Sequence, residues 1–250
     1  SLGRINEYYN EDFLYKLFGI NAELLIDHAW GWEPCTIADV KAYKPSQNCL
    51  SSGQVLQSPY SYHKGQLIVR EMTDLLVLDL VDKGLVTDQI VLTVGYDIEN
   101  LSNPEIRKSY RGPVTSDHYG RQVPKHAHGT TNLSVHTSST RLITDAVIEL
   151  YERIVDEHLL VRRINVTANH VIPEHEVTIS CEQLDLFTDY ETIEREKQQR
   201  EEELQREKNM QLAILDIKKR YGKNAILRGT NFEEGAMTVE RNNQIGGHKA

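Results

Sequence analysis

Apolar residues recur in this chain with two periods, and the order of the two periods repeats. A polar segment, Leu50-Ser51-Ser52-Gly53-Gln54-Val55-Leu56, reads as a strand and leads into a helical pattern from about His63 to Lys83. Val69, Met72, Leu76 and Leu80 fall on one stripe there, with Ile68 and Leu75 beside them, the 3.6-residue spacing of a helix that buries one face. Alternation then takes over from Gln89 to Tyr96, where Ile90, Leu92 and Val94 share a face. A second copy follows after an insertion: a strand near Gly129 to Val135, a helix, and a strand from Val161 to Asn169. Ser138-Ser139-Thr140 supplies capping hydroxyls for that helix, which carries Ile143, Val147, Leu150 and Ile154. Strand–helix–strand twice over predicts an α+β fold, a four-stranded sheet with both helices on one face.

The flanks follow other patterns. Asn10, with Glu11 and Asp12 in the first turn, opens a helix whose stripe is Phe13, Leu14, Leu17 and Phe18; Gly19 ends it and Asn21 caps a second helix stopping at Gly31. Two such short helices cannot enclose a core, so they are expected to pack on something upstream. The expected divisions are a helical remnant over 1–34, a linker over 35–47 and a main domain over 48–175 with an insertion at 98–124. A short peptide over 176–190, a charged helix over 191–222 and a disordered tail over 223–250 complete the set. Glu191–Arg195, Glu196–Arg200 and Glu202–Arg206 lie at i,i+4 spacing, and Met210, Ile214, Ile217 and Tyr221 form a thin apolar stripe. The chain opens on Ser1 in a helical pattern, as a piece of a longer protein would.

Helices on one face leave the other face of the sheet open. In the last strand Ile164, Val166 and Ala168 point one way, and Arg163, Asn165, Thr167 and Asn169 the other, with Arg162 at the rim of the buried side. Net charge is -9, yet between Arg107 and His128 lie Arg107, Lys108, Arg111, Arg121 and Lys125 against a single acid, Asp117. An acidic total thus conceals a basic edge beside a polar sheet, a surface suited to phosphate.

Composition narrows the classes. Hydrophobic residues make up 39% and charged residues 26%, ordinary values for a water-exposed globular chain. The richest apolar run, Leu75 to Leu78, stops at Asp79, far short of a membrane span. Cys35, Cys49 and Cys181 are scattered, without the pairing of a disulfide framework or a cysteine zinc site. His126 and His128 share one side of a strand, but no Cys, Asp or Glu completes a metal set and Lys125 opposes a cation. No nucleophilic triad or glycine-rich phosphate loop is spaced for chemistry. Gln183-Leu184-Asp185-Leu186-Phe187, at the border between the domain and the charged helix, has alternating leucine anchors and a terminal aromatic, suited to a pocket on another protein.

Together these motifs resemble the C-terminal half of a Y-family translesion DNA polymerase of the UmuC/DinB type, in its Gram-positive bacterial branch. Phe18-Gly19, Asn21-Ala22-Glu23-Leu24 and Ala29-Trp30-Gly31 resemble the end of the family's thumb. The doubled strand–helix–strand, with Lys125-His126-Ala127-His128-Gly129 and Val161-Arg162-Arg163-Ile164, resembles its little finger. Gln183, Leu184, Leu186 and Phe187 match the consensus of peptides that dock on the sliding clamp. The resemblance implies primer–template DNA and the clamp as partners, a monomer, a cytoplasmic setting, and a role in DNA repair, damage tolerance and the SOS response. It implies Ser52, Arg121, Lys125, Arg162, Arg163 and Thr167 as backbone contacts. Polymerisation would need two Mg2+ ions held by palm carboxylates that nothing here matches, so no cofactor and no catalytic residue is expected in this chain. The competing expectation is an acidic adaptor that binds protein and not DNA.

Overall fold

A computed structural model describes residues 11–43, 48–117, 120–177, 190–245 and 248–249. The chain divides into two units, Ser1–Gln47 and Asn48–Ala250. In the first, α1 (Glu11–Phe18) and α2 (Asn21–Ala29) pack together through Leu14 and Ala22. Gly19, at φ 58°, makes the turn between them. Asn21 is the first residue of α2 rather than its cap, which is Ile20. A third helix, α3 (Ile37–Ala42), interrupts the expected linker: Thr36 accepts from the Asp39 amide, and the Asp39 carboxylate accepts from the Thr36 amide. That is a capping box, and its Thr-x-x-Asp spacing is present in the sequence. Phe18, Leu24, Trp30 and Trp32 stay exposed on this unit.

The second unit carries the expected sheet. Over residues 48–177 its strands are β1 (Leu50–Tyr60), β2 (Leu85–Tyr96), β3 (Val114–Ser116), β4 (Gln122–Pro124), β5 (Ala127–Thr137), β6 (Val161–Asn169) and β7 (Ile172–Pro173). The main sheet runs β1-β6-β2-β5, every pair antiparallel, with β7 added against the start of β2. Two helices cover one face: α4 (Tyr62–Asp82) lies over β1, β6 and β2, and the later α7 (Thr140–Ile154) over β5 and β2. Between the layers Ile90, Leu92, Val94, Ile164, Val166 and Ala168 meet Ile68, Val69, Ile143 and Val147, all without solvent exposure. Each such aliphatic side chain contributes about 1.5–3 kcal/mol by leaving water. Close approach of the helices is set at Gly65, where a Cβ would stand 2.7 Å from the Tyr151 Oη. That hydroxyl donates to the Tyr62 carbonyl at 2.8 Å.

The insertion is ordered by one buried side chain. It comprises α5 (Glu99–Ser102), α6 (Pro104–Ser109) and the β3–β4 hairpin. Asn100 donates to the carbonyls of Asp97 and Leu160, both at 2.9 Å, and accepts from the Leu160 amide at 2.8 Å. It thereby pairs with backbone as a strand would, and Ile106 and Tyr110 pack on the core beside it.

The C-terminal region departs from expectation. Helix α8 (Tyr190–Tyr221) forms as predicted; Leu215 packs on the core, Ile214 and Ile217 of the expected stripe are half-buried, and polar anchors join them. Gln211 is buried and donates to the Ser138 carbonyl and the Thr140 hydroxyl, while Glu207 accepts from the Ser139 hydroxyl at 2.6 Å and the Arg141 amide at 3.0 Å. Met210 and Tyr221, expected on the apolar stripe, are 56% and 76% exposed. Among the described residues the i,i+4 ion pair that closes on α8 is Arg220–Asp216, at 3.0 Å, rather than Glu196–Arg200 or Glu202–Arg206. Beyond it the expected disordered tail is replaced, over residues 223–244, by packed structure. It includes a 3-10 turn at Gly229–Phe232 and a short helix, α9 (Thr238–Asn242), with Met237 in the core cluster.

Candidate nucleic-acid interface

Strand register decides which side chains reach the uncovered face. Arg163 stands opposite Val55 and Gly95, Asn165 opposite Gly53 and Thr93, Thr167 opposite Ser51 and Val91, and Asn169 opposite Gln89. On the far side of β2, His128, Thr130 and Asn132 of β5 face Thr93, Val91 and Gln89. Directly opposed residues share a face. The open face is therefore built from Ser, Thr, Asn, Gln, His and Arg, with Val55 and Val91 as its apolar members. No acid stands in these rows.

Hydrogen bonds tie the rows together. Asn169 donates to Gln89 at 3.0 Å and Gln89 donates to Asn132 at 2.9 Å, a chain across three strands. The Thr93 hydroxyl and His128 Nδ1 are 2.9 Å apart. Ser51 donates to Asn165 at 3.0 Å, and its hydroxyl also meets that of Thr167 at 2.9 Å. Such a lattice fixes rotamers in advance while leaving amide hydrogens and hydroxyls free to turn toward an anion. Arg163 is exposed between Val55 and Gly95, and Lys125 and His126 are exposed at the entry to β5.

Two of the expected contact residues lie elsewhere. Ser52 stands opposite Val166, on the helix-covered side, and accepts a hydrogen bond from Arg241 at 2.8 Å. Leu50 and Leu56 already fix the phase of β1, and Ser52 shares it; Ser51 is the residue that alternation places outside. Arg162 falls at an irregularity in the pairing, without a registered partner in β1 or β2; its half-exposed guanidinium lies 3.6 Å from the buried Asp97 carboxylate and donates to the Gln57 carbonyl at 3.1 Å. Arg163 and Thr167 are on the open face. Arg121 pairs with Asp117 at 2.6 Å on the β3–β4 hairpin, so part of that basic charge is neutralised. Arg107, Lys108 and Arg111 are exposed on the insertion. Gln183, Leu184, Leu186 and Phe187 lie outside the described residues.

Other chemistry finds little footing. His126 and His128 stack edge to face with centroids 6.4 Å apart. Among the described residues no cluster of three or more His, Cys, Asp or Glu is arranged to hold a metal. A cleft of about 580 Å³ beside β5 is lined by Tyr96, Tyr110, Lys125, His126 and His128. Burial raises the hydroxyl pKa of both tyrosines; Tyr96 accepts from the Asp156 amide at 2.9 Å and Tyr110 donates to the Pro113 carbonyl at 2.8 Å. No described helix is long and apolar enough to cross a membrane. The arrangement can hydrogen-bond and neutralise phosphate over an extended surface.

The domain is thus an antiparallel sheet with two helices on one side and a hydrogen-bonding face on the other. Residues 50–186, more than half of the chain, match the model of the impB/mucB/samB family C-terminal domain, and the chain belongs to that family. No curated protein matches it. Among solved structures it is similar to the post-insertion binary complex of Dbh DNA polymerase, with 14% identity over 69% of this chain and 41% of that one, at a TM-score of 0.31. A Y-family polymerase chimera of Dbh and Dpo4 matches equally, with 14% identity over the same shares and a TM-score of 0.32. A complex of the beta-clamp processivity factor and the little finger domain of PolIV gives 7% identity over 56% of this chain and 100% of that one, at 0.33. The chain spans 41% of the length of the Dbh polymerase chains, and at these scores the likeness adds nothing to the fold described above.

Proposed function

We propose that this chain is the DNA-gripping C-terminal portion of a Y-family translesion polymerase of Gram-positive bacterial type. The observation that carries the reading is the open face itself: family membership makes a polymerase the context, and a row-by-row lattice of uncharged donors with Arg163 and no acid suits backbone phosphate. The face lies along duplex DNA without reading bases, as a polymerase that copies damaged templates requires. Arg163, Thr167, Ser51 and Asn165 contact phosphates, with Lys125 and the insertion's exposed Arg107, Lys108 and Arg111 at the margin. Gln183 to Phe187 docks on the sliding clamp, and tethering raises the local concentration of the weak DNA contact. Chemistry, with its Mg2+ ions, belongs to a palm domain outside these residues, and the chain acts as a monomer in the cytoplasm.

Fluorescence anisotropy with a primer–template duplex over a salt series tests this. Binding should be independent of sequence, should fall log-linearly with salt, and should weaken about tenfold or more when an acid is placed on the face by Thr167→Glu. Absence of duplex binding at low salt would leave the protein-binding adaptor instead, and duplex binding indifferent to Thr167→Glu would rule out the open face as the DNA-binding surface.

A further inference from the structure

Helix α4 lies over the edge strand β1, and the C-terminal segment adds a second set of contacts to that strand on the same side, at Ser52 and Gln54. That segment begins and bends at glycines in the left-handed region, Gly222 at φ 99° and Gly235 at φ 98°. Between and after them it touches the domain at a few polar points. Glu71 of α4, 4% exposed, spends both carboxylate oxygens on it: Oε1 accepts from Asn231 at 2.8 Å and the Thr238 amide at 3.3 Å, and Oε2 from the Met237 amide at 2.8 Å. One turn on, Asp74 pairs with Arg228 at 2.8 Å. Arg241 reaches β1, donating to Ser52 at 2.8 Å and Gln54 at 3.0 Å. Met237 supplies the apolar plug, and the Gln54 amide donates to its sulfur at 3.2 Å. Phe232, by contrast, is 73% exposed.

We propose that residues 223–244 are a hinged latch that closes on the paired carboxylates Glu71 and Asp74 of α4 and, through Arg241 and Met237, holds the edge strand β1 in place. The segment lies beyond the family-matched residues 50–186. Its anchors suit closure and release: an apolar strap would be welded by burial, whereas carboxylates and guanidinium groups regain water when they part. A lone Met plug limits the apolar area lost on opening. Closure matters to the open face because Ser51, Gly53 and Val55 sit on the same strand as Ser52 and Gln54, one residue out of phase. The inference concerns folding of the chain alone and stands whether or not the face binds DNA.

Hydrogen exchange by mass spectrometry on the full chain tests it. In the wild-type protein the latch amides, Met237 and Thr238 above all, should be protected, though less than those of α7 and β2. Arg241→Ala, at the distal end of the latch and outside the core, should speed exchange of 223–244 and of β1 about tenfold while α7 and β2 stay unchanged. Glu71→Gln puts an amide donor opposite backbone donors and should open the latch further. Three outcomes would overturn the proposal: wild-type latch amides exchanging at the rate of a free peptide, both variants leaving 223–244 unchanged, or the latch opening without any response in β1.

Discussion

The two faces of one sheet differ in almost every physical respect although they alternate residue by residue along the same strands. Ile164, Val166 and Ala168 are wholly buried, while Arg163, Asn165 and Thr167 between them keep contact with solvent. The covered face is held by dispersion and exclusion of water, non-directional and strong in sum. Its opposite is held by directional bonds between uncharged groups that water could satisfy as well, each worth little to stability. Stability and proposed function are therefore separable here, and substitutions one residue apart should report on different properties.

The largest effect should come from the covered face. Ile164→Ala removes a fully buried branched side chain at the centre of the sheet and should cost about 2–5 kcal/mol by urea unfolding, with the midpoint falling and the slope unchanged. Asn100→Ala should follow at about 1–3 kcal/mol, since it leaves the Leu160 amide and two carbonyls without their partner. Loss of less than about 0.5 kcal/mol there would mean that water replaces the side chain.

A smaller, pH-dependent effect is expected at Asp74. Burial, opposed by Arg228 and reinforced by Glu71, raises its pKa to about 6, with Arg70 and Lys218 as the other charges facing it. A carboxyl with a raised folded-state pKa binds its proton more tightly in the folded protein. Its contribution to stability is thus fully present below about 4, the unfolded value, and is lost as pH rises through about 6. Unfolding measured from pH 4 to 7 should show this fall in the wild-type protein and a flatter profile in Asp74→Asn. The least effect on stability should come from the open face, where Thr93→Ala should change it by less than about 0.5 kcal/mol. A larger loss would mean that the polar lattice supports the fold.

How much of this was legible depends on the kind of interaction. The helices and strands of residues 50–169 follow from apolar periodicity, and the polar side of β6 is visible in its strict alternation. Ser52, which the resemblance implies as a contact, falls on the covered side because it shares the phase that Leu50 and Leu56 set for β1. Arg162 sits one residue from Arg163 at a break in the strand pairing, and only the folded side-chain geometry shows that Asp97 and the Gln57 carbonyl engage it. In the C-terminal region the helix is legible but its docking, and the packed segment after it, are not, for a different reason. Its anchors are Glu207, Gln211, Arg228 and Arg241, polar residues whose partners lie far off in sequence, and no periodicity marks a side chain that docks by hydrogen bonds.

The neighbouring arginines give the most direct test that the uncovered face is the DNA-binding face. Affinity for a primer–template duplex should be compared in Arg163→Ala and Arg162→Ala at matched salt. The account predicts that Arg163→Ala weakens binding about tenfold and lowers the salt slope by about one. Arg162→Ala should leave affinity within about twofold and instead lower stability by about 1 kcal/mol. The reverse pattern, with Arg162 essential for binding and Arg163 dispensable, would contradict it.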